Sequence, residues 1–317
     1  VVLSTDQIAA VETVDLQAMK TVQIAAITTN QIAGLSTAQI VALTTQQAAA
    51  LTSAQLGVMS GEQIAAIEVV DVQALRTQQL AGLTPSLVAA LTTQQIIGMS
   101  GTQLAGFTTE QTSALTSDQI AAIETADIVA LRTAQIAALN ADQVSALTTA
   151  QISNLSVTQI GAFTTDQITA IETEDLASIK TSQISGFTTS QISVFTNDQI
   201  VALTSAQLNT MSTGQITALT PAQIGALESA DLQALKTSLV AALTTGQIAS
   251  LSADQITLMT SAQIASLTSA QIQTLSAAQL NAIEVDDLAI MKTAQIAALT
   301  TSQTATLTTG QIIALGT

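Results

Sequence analysis

The sequence predicts an all-α solenoid, or superhelix, of 39 short two-turn helices, and three observations support this prediction. A phrase of eight residues, such as Leu115–Ala122 (LTSDQIAA), repeats from Leu3 to Leu315 without an insertion or deletion. Each octad opens with a signal that starts a helix. Aromatic residues make up only 1% of the chain, so the core must consist of thin layers of Leu, Ile and Ala. Such self-similarity at a fixed period is typical of solenoids.

Four positions of the octad carry the argument. The anchor is its first residue, and it is always Leu, Ile, Met, Phe or Val. The cap position follows the anchor and is mostly Thr or Ser. The glutamine position lies four residues after the anchor and is Gln except for six Asp and two Leu, Leu87 and Leu239. The staple position comes next and is Ile, Leu or Val except at Ala48, Thr112 and Thr304.

These positions match the start of a helix. A Thr at the N-cap and a Gln three residues later form a capping box, in which each side chain accepts a hydrogen bond from the other residue's amide. The anchor and the staple residue then occupy the two positions of a hydrophobic staple. Pro85 and Pro221 each follow a cap Thr, at the first helical position, where proline is well tolerated.

Two other folds fit the pattern less well. A β-solenoid requires apolar residues that alternate by two, whereas the anchors and staple residues are spaced five and three apart. One continuous helix would need about 4.0 residues per turn to keep an eight-residue stripe, away from 3.6. Separate short helices, stacked because none is stable alone, are therefore expected over a single continuous array, residues 1–317.

A slower period marks six charged octads. In each, Glu takes the cap position, Asp takes the glutamine position, and a basic residue takes the next cap position. Successive Glu residues are seven octads apart, except that six octads separate Glu124 from Glu172. The charged clusters are Glu12, Asp15, Lys20; Glu68, Asp71, Arg76; Glu124, Asp127, Arg132; Glu172, Asp175, Lys180; Glu228, Asp231, Lys236; and Glu284, Asp287, Lys292.

The spacing suggests that one turn contains six to seven octads, so that charged octads meet on successive turns. A Lys or Arg would then pair with carboxylates of its own and the adjacent turn and fix the register. Exposed ion pairs contribute only about 0–1 kcal/mol each, so register is a better rationale than stability. Duplication of a block of seven octads, with the charges as solvated decoration, is the alternative.

The composition excludes several classes of function. There is no His or Cys, and six equal clusters suggest architecture more than an active site, so we expect no enzyme, no catalytic residue and no cofactor. A net charge of −16 argues against nucleic acid, and no apolar run reaches the length of a membrane span. Calcium at Glu12 and Asp15 is conceivable, although no known calcium-loop pattern occurs.

A binding surface is the main alternative to a structural role. The first hydroxyl of each Thr/Ser pair is used as a cap, whereas the second, as in Thr93 or Thr149, is expected to form an outer row. Rows of hydroxyls or of acidic groups at a fixed spacing could bind ice, a crystalline polysaccharide or calcium.

The stretch LTSDQIAAIETADIVALRTAQIAAL (Leu115–Leu139) resembles the octapeptide arrays of giant secreted bacterial surface proteins. These adhesin-like proteins are often labelled haem-utilisation proteins. The resemblance implies an extracellular or cell-surface stalk, spacer or filament, with self-association end to end or laterally. It covers the whole chain, and the chain is then expected to be a segment of a longer array. The haem label finds no ligand, since all six Met occupy anchors.

Overall fold

The structure, a computed structural model, describes residues 4–316, and it contains one short helix for each octad in that range. The first anchor, Leu3, and the last residue, Thr317, lie outside the described residues. Within residues 4–316 there are 38 α-helices and one 3-10 helix and no strand, so the all-α solenoid is confirmed. The helices fall into two compact units, Val1–Phe163 and Thr164–Thr317. That the array is a single continuous solenoid stays a prediction.

The first unit contains nineteen α-helices and the 3-10 helix η1, which follows α15. Their bounds are α1 (Thr5–Ala9), α2 (Thr13–Ala18), α3 (Thr21–Ala25), α4 (Thr29–Ala33), α5 (Thr37–Val41), α6 (Thr45–Ala48), α7 (Ser53–Gly57), α8 (Gly61–Ala66), α9 (Val69–Ala74), α10 (Thr77–Leu80), α11 (Pro85–Ala89), α12 (Thr93–Gly98), α13 (Gly101–Ala105), α14 (Thr109–Ser113), α15 (Ser117–Ala122), η1 (Ile128–Ala130), α16 (Thr133–Ala137), α17 (Ala141–Ser145), α18 (Thr149–Asn154) and α19 (Val157–Ile160).

The second unit contains the other nineteen α-helices. Their bounds are α20 (Thr165–Ile168), α21 (Thr173–Ser178), α22 (Thr181–Ile184), α23 (Thr189–Ser193), α24 (Asn197–Ala202), α25 (Ser205–Leu208), α26 (Thr213–Ala218), α27 (Pro221–Ala226), α28 (Ser229–Ala234), α29 (Thr237–Ala242), α30 (Thr245–Ala249), α31 (Ala253–Thr257), α32 (Ser261–Ser266), α33 (Ser269–Thr274), α34 (Ala277–Asn281), α35 (Val285–Ala289), α36 (Thr293–Ile296), α37 (Thr301–Thr304) and α38 (Thr309–Leu315).

The helices are shorter than the two turns predicted. Helix α18 begins after Thr148 (φ −77°, ψ 154°) and ends before Leu155 (φ −58°, ψ 143°), and neither residue is helical. In other octads the residue after the helix, such as Ala10 or Ala26, is still in the helical region. The α-helices contain four to seven residues, between one and two turns.

None of the helices within residues 4–316 is long and apolar enough to cross a membrane.

The anchors and staple residues form the core of each unit, as the hydrophobic staple predicts. The staple residue Ile120 is fully buried, and the anchor Leu115 is 4% exposed. In the second unit the anchors Phe187 and Phe195 stack edge to face, with ring centroids 5.2 Å apart. Burial of an aliphatic side chain contributes about 1.5–3 kcal/mol, and most octads bury two. This gain holds helices that would be unstable alone.

Within each unit, a helix packs on the helix three octads further along. Helix α9 contacts α6 and α12 in the first unit, and α24 contacts α21 and α27 in the second. One turn therefore contains between three and four octads, and the prediction of six to seven is wrong. Two apolar side chains per octad fill only a narrow core, and a ring of six or seven octads would enclose a space that they cannot fill.

The slower charge period spans two turns. Side-chain bonds between consecutive turns join residues 28 apart, as from Gln95 to Ile67. This step is half of the seven octads that separate Glu12 from Glu68 and Glu68 from Glu124. In the first unit these three residues accordingly recur on every second turn, and the expected meeting on successive turns does not occur.

Candidate functional site: the glutamine ladder and the charged octads

The capping box predicted from the sequence is present at ordinary octads. The amide of Gln119 donates to the hydroxyl of Thr116 over 3.2 Å, and the amide of Thr116 donates to Oε1 of Gln119 over 2.8 Å. The two side chains thereby satisfy amides at the start of α15 that have no partner inside the helix.

The same glutamines have a second role that the sequence analysis missed. Nε2 of Gln119 donates to the carbonyl oxygens of Val88 and Leu91, at 3.0 and 2.6 Å, in the preceding turn. These carbonyls lie at the end of α11, where a helix leaves oxygens short of backbone donors; Val88 accepts in addition from the Leu91 amide. Gln119 is only 2% exposed, so these donors replace bonds to water. One amide group therefore closes the start of its own helix and the end of another.

We call this series of buried side chains the glutamine ladder. Its members share bonds from Nε2 to backbone carbonyls of the preceding turn. Those in the first unit include Gln39, Gln47, Gln55, Gln63, Gln79, Gln95, Gln103, Gln111, Gln119, Gln135, Gln143, Gln151 and Gln159. Those in the second include Gln199, Gln207, Gln215, Gln223, Gln247, Gln255, Gln263, Gln271, Gln279, Gln295, Gln303 and Gln311.

The residue type carries a signal that could have revealed the ladder. Glu completes a capping box as well as Gln does, but a carboxylate has no N–H to donate. No Glu occurs at the glutamine position in this chain. The use of Gln and never Glu at this position therefore indicates that the side-chain N–H group donates to a buried acceptor outside the helix. In the structure that acceptor is a backbone carbonyl of another turn.

Exceptions to the octad are accommodated locally. Thr112 takes a staple position, and its hydroxyl donates to the Thr108 carbonyl over 2.9 Å and accepts from Nε2 of Gln135 over 3.2 Å. Leu239 replaces a ladder glutamine and cannot accept from the amide of its cap residue, Lys236. That amide donates instead to Oδ1 of Asn209 over 2.8 Å.

The charged octads lack the capping box. The cap residues Glu12, Glu68, Glu172, Glu228 and Glu284 make no side-chain cap hydrogen bond. With an Asp at the glutamine position both side chains are acceptors, so neither can donate to the other. The helix start rests on the backbone alone, as where the Asp71 amide donates to the Glu68 carbonyl over 2.9 Å. The octad of Glu124 forms η1 in place of an α-helix.

The aspartates of the charged octads reach the start of a helix in the preceding turn. Oδ1 of Asp127 accepts from the amide of Gly101 over 2.6 Å, and Oδ1 of Asp231 accepts from the hydroxyl of Ser205 over 2.5 Å. Asp71, Asp175, Asp231 and Asp287 are buried, Asp127 is half-buried, and Asp15 is exposed. The acid thus bonds the start of a neighbouring helix, where the glutamine bonds the end of one.

The basic residues of the clusters contact amide oxygens. Nη2 of Arg132 donates to the Phe107 carbonyl over 2.7 Å, and Nζ of Lys236 donates to the Asn209 carbonyl over 3.0 Å. Nε of Arg76 donates to Oε1 of Gln79 over 3.2 Å. Arg132 and Lys236 thereby bond one turn to the one before it through carbonyl oxygens. That the basic residues pair with carboxylates and that the clusters fix the register stays a prediction.

Asp71 differs electrostatically from an exposed acid. Burial raises the pKa of its carboxyl, a hydrogen bond with the Thr45 side chain lowers it, and the charge of Glu68 raises it further, so that the net direction is upward. At the surface, by contrast, hydrogen bonds from its own backbone and from Thr108 lower the pKa of Glu110.

A surface groove of about 590 Å³ lies beside the third charged octad, and Glu124, Asp127, Met99, Gln103 and Ile97 are among its lining residues. Within residues 4–316, no three acidic side chains come together as a metal-binding group. Ligands for a cation would have to include backbone oxygens.

The outer row of hydroxyls is only partly free. Thr93 is exposed as expected, whereas Thr149 is half-buried and has a bonding partner. Ser269 donates to the Ala294 carbonyl over 3.1 Å and Ser117 to the Asp142 carbonyl over 3.4 Å, in both cases in the following turn. The prediction of a free row is wrong at these positions, because the next turn supplies acceptors.

Comparison with known proteins agrees with this repeat architecture. The sequence model of a family described as the ALTTAQ repeat matches seven segments that together span most of the chain: residues 8–45, 64–101, 120–157, 168–205, 201–228, 224–261 and 280–317. None of the curated proteins compared with the chain matches it.

Proposed function

The chain belongs to the ALTTAQ repeat family, and we propose that it is a structural element, the body of an extracellular spacer, stalk or filament. Its role in this proposal is to convert chain length into physical length. The proposal assigns it no reaction and no cofactor.

The glutamine ladder is the observation that carries the proposal. Gln95 and Gln151 in the first unit and Gln247 in the second make the same pair of bonds to the preceding turn, at 2.7–2.8 Å. Within each unit, turns are therefore joined to the previous turn in the same way, and adding octads adds equal increments of contact and stability. Uniform bonding of this kind suits a spacer, whose length can change without loss of its function.

Location and partners follow from the resemblance to octad arrays of secreted bacterial surface proteins. We assign the chain to the extracellular space or the bacterial cell surface, and its main partner is another copy of the same array. A free end of such a stack presents helix carbonyls or ladder glutamines without their counterparts, so end-to-end association is favoured. Neighbouring components of the cell surface are further partners, whereas nucleic acid and the membrane interior are not.

Deletions that keep or break the octad phase test the proposal. Removing residues 68–123 deletes seven whole octads and joins like positions of the repeat, whereas removing residues 68–119 deletes six and a half and shifts the phase. Electron microscopy and small-angle scattering of purified protein should show rods or fibres, shortened in proportion by the first deletion. The second should reduce helicity and stability. Particles whose dimensions do not follow the number of octads would contradict a spacer.

A surface-binding role is the second candidate, and the exposed Thr93 and its exposed cap neighbour Thr92 favour it. Saturable binding to ice, crystalline cellulose or chitin that falls on substitution of Thr93 would support an adhesive or ice-binding array. A thermal-hysteresis assay separates ice from the polysaccharides.

A further inference from the structure

At each charged octad, a donor of the glutamine ladder is replaced by an acceptor. The two neighbours of Asp71 in the ladder define its register: Gln63 bonds the Ile32 and Leu35 carbonyls, at 3.0 and 2.7 Å, and Gln79 bonds the Leu51 carbonyl. A glutamine at position 71 would, in the same register, bond the carbonyls of Ile40 and Leu43. The carboxylate of Asp71 has no hydrogen to offer those oxygens.

One oxygen of Asp71 is buried without a partner. The Asp71 side chain is 1% exposed, it forms a hydrogen bond with the Thr45 side chain, and its Oδ2 atom has no hydrogen-bond partner. Glu68 is close enough to add unfavourable negative charge. A buried carboxylate is costly unless a positive group or sufficient donors compensate it. The arrangement therefore lacks positive charge at a defined point.

The third charged octad shows that the shorter side chain also leaves space. Asp127 takes a glutamine position there, and the groove of about 590 Å³ is lined by Asp127, Glu124 and Met99. Gln95 bonds the carbonyl of Ile67, which lies 28 residues earlier. The anchor Met99 likewise lies 28 residues before Asp127. A ladder glutamine at position 127 would therefore bond the Met99 carbonyl. The Glu, the Asp and the anchor residue of the preceding turn thus border one accessible space.

We propose that the charged octad of Glu68 and Asp71 is a binding site for a hard cation, of which Ca²⁺ is the representative. Oδ2 of Asp71 and the carbonyl oxygens of Ile40 and Leu43 are its ligands, with Glu68 as the second carboxylate. Ca²⁺ binds carboxylate and carbonyl oxygens together and accepts water for the remaining positions. The octad of Glu124 and Asp127 is the equivalent open site.

The proposal goes beyond a spacer function, because it assigns a ligand to charged octads whose aspartate is buried or half-buried against a preceding turn, a set that leaves out the exposed Asp15. The cation takes over the role of the ladder amide, since it attracts the two carbonyls and neutralises the acid. Turns joined by a glutamine are then independent of calcium, whereas turns joined by an Asp require it.

Two matched substitutions test the site in the full chain. Asp71→Gln restores the common octad and its donors, and Asp15→Gln makes the same chemical change at an exposed aspartate. Calcium binding is measured by equilibrium dialysis at constant ionic strength, and the midpoint of thermal unfolding is followed against calcium and against magnesium. The wild type and the Asp15 variant should bind one more calcium ion per chain than the Asp71 variant, with a larger rise in midpoint.

Three outcomes overturn the proposal. Equal calcium binding and equal stabilisation of all three proteins would reduce the effect to general screening of a net charge of −16. Equal loss of bound calcium in both variants would make Asp71 no different from a surface acid. The third outcome is a wild type that binds no calcium and gains stability relative to the Asp71 variant only on acidification. That result would show that a proton on the Asp71 carboxyl, and not a cation, neutralises it.

Discussion

Gln95 donates from Nε2 to the carbonyl oxygen of Ile64, in the preceding turn, over 2.8 Å. Its Oε1 atom accepts at the same time from the amide of Thr92, the cap residue of its own helix, over 2.8 Å. A single side chain therefore links the start of α12 to the end of α8. Repeated along each unit, this link turns an octad pattern in the sequence into contact between turns.

Substitution of Gln95 tests the ladder directly. Gln95→Ala removes the bonds to the Ile64 and Ile67 carbonyls; the Ile64 oxygen keeps its bond from the Ile67 amide, whereas the buried Ile67 oxygen loses this donor, and we expect a cost of about 1–3 kcal/mol. Gln94 precedes it in the same helix and is exposed, so Gln94→Ala should change stability by less than about 0.5 kcal/mol. Urea titration, with native-state hydrogen exchange of the surrounding helices, measures both. Similar losses for the two variants would contradict the ladder.

The caps give a second matched pair within α12. The hydroxyl of Thr92 accepts from the Gln95 amide over 3.1 Å, so Thr92→Ala should destabilise the array by about 1 kcal/mol. Thr92→Ser keeps the acceptor and should recover most of that loss. Thr93 is exposed at the first helical position, and Thr93→Ala should be nearly neutral. Circular dichroism during urea unfolding ranks the three proteins, and an equal effect of the two alanines would argue against capping.

The raised pKa of Asp71 predicts a pH dependence that an amide removes. The folded chain holds this proton more tightly than the unfolded chain, whose pKa stays near 3.8. Stability relative to Asp71→Asn should therefore fall as pH rises from 3.8 through the raised folded value, and stay level above it. Unfolding midpoints with a calcium chelator present measure the difference. A difference that grows more favourable to the wild type as pH rises would show that the pKa is lowered instead.

Close approach between turns explains some glycines and not others. A Cβ at Gly82 would lie 2.5 Å from Cβ of Ser53 and 2.9 Å from its carbonyl oxygen, whereas at Gly246 the nearest neighbour is 3.8 Å away. Gly82→Ala should therefore cost about 1–3 kcal/mol, because backbone must move. Gly246→Ala should stabilise helix α30 by about 0.5–1 kcal/mol. Urea midpoints of the two variants should move in opposite directions, and a stabilised Gly82→Ala would contradict the close contact.

The sequence by itself determined the local structure of this protein. Capping and the hydrophobic staple act between residues close together in the chain, so Thr116, Gln119 and Ile120 were enough to predict where a helix begins and which side chains it buries. One helix in each described octad followed from the phase of the repeat. Helix length was overestimated because the anchor, as in Leu155, also leaves the helical conformation.

Only the tertiary structure decided how the octads join. The number of octads in a turn depends on how far the residues between two helices bend the chain. It also depends on how wide a core two aliphatic side chains can fill. The eight-residue repeat specifies neither quantity. The bond from Gln95 to Ile64 and the burial of Asp71 follow from that turn. Since the size of the turn sets which distant residues meet, the partner of each buried polar group becomes known only when the turn is known.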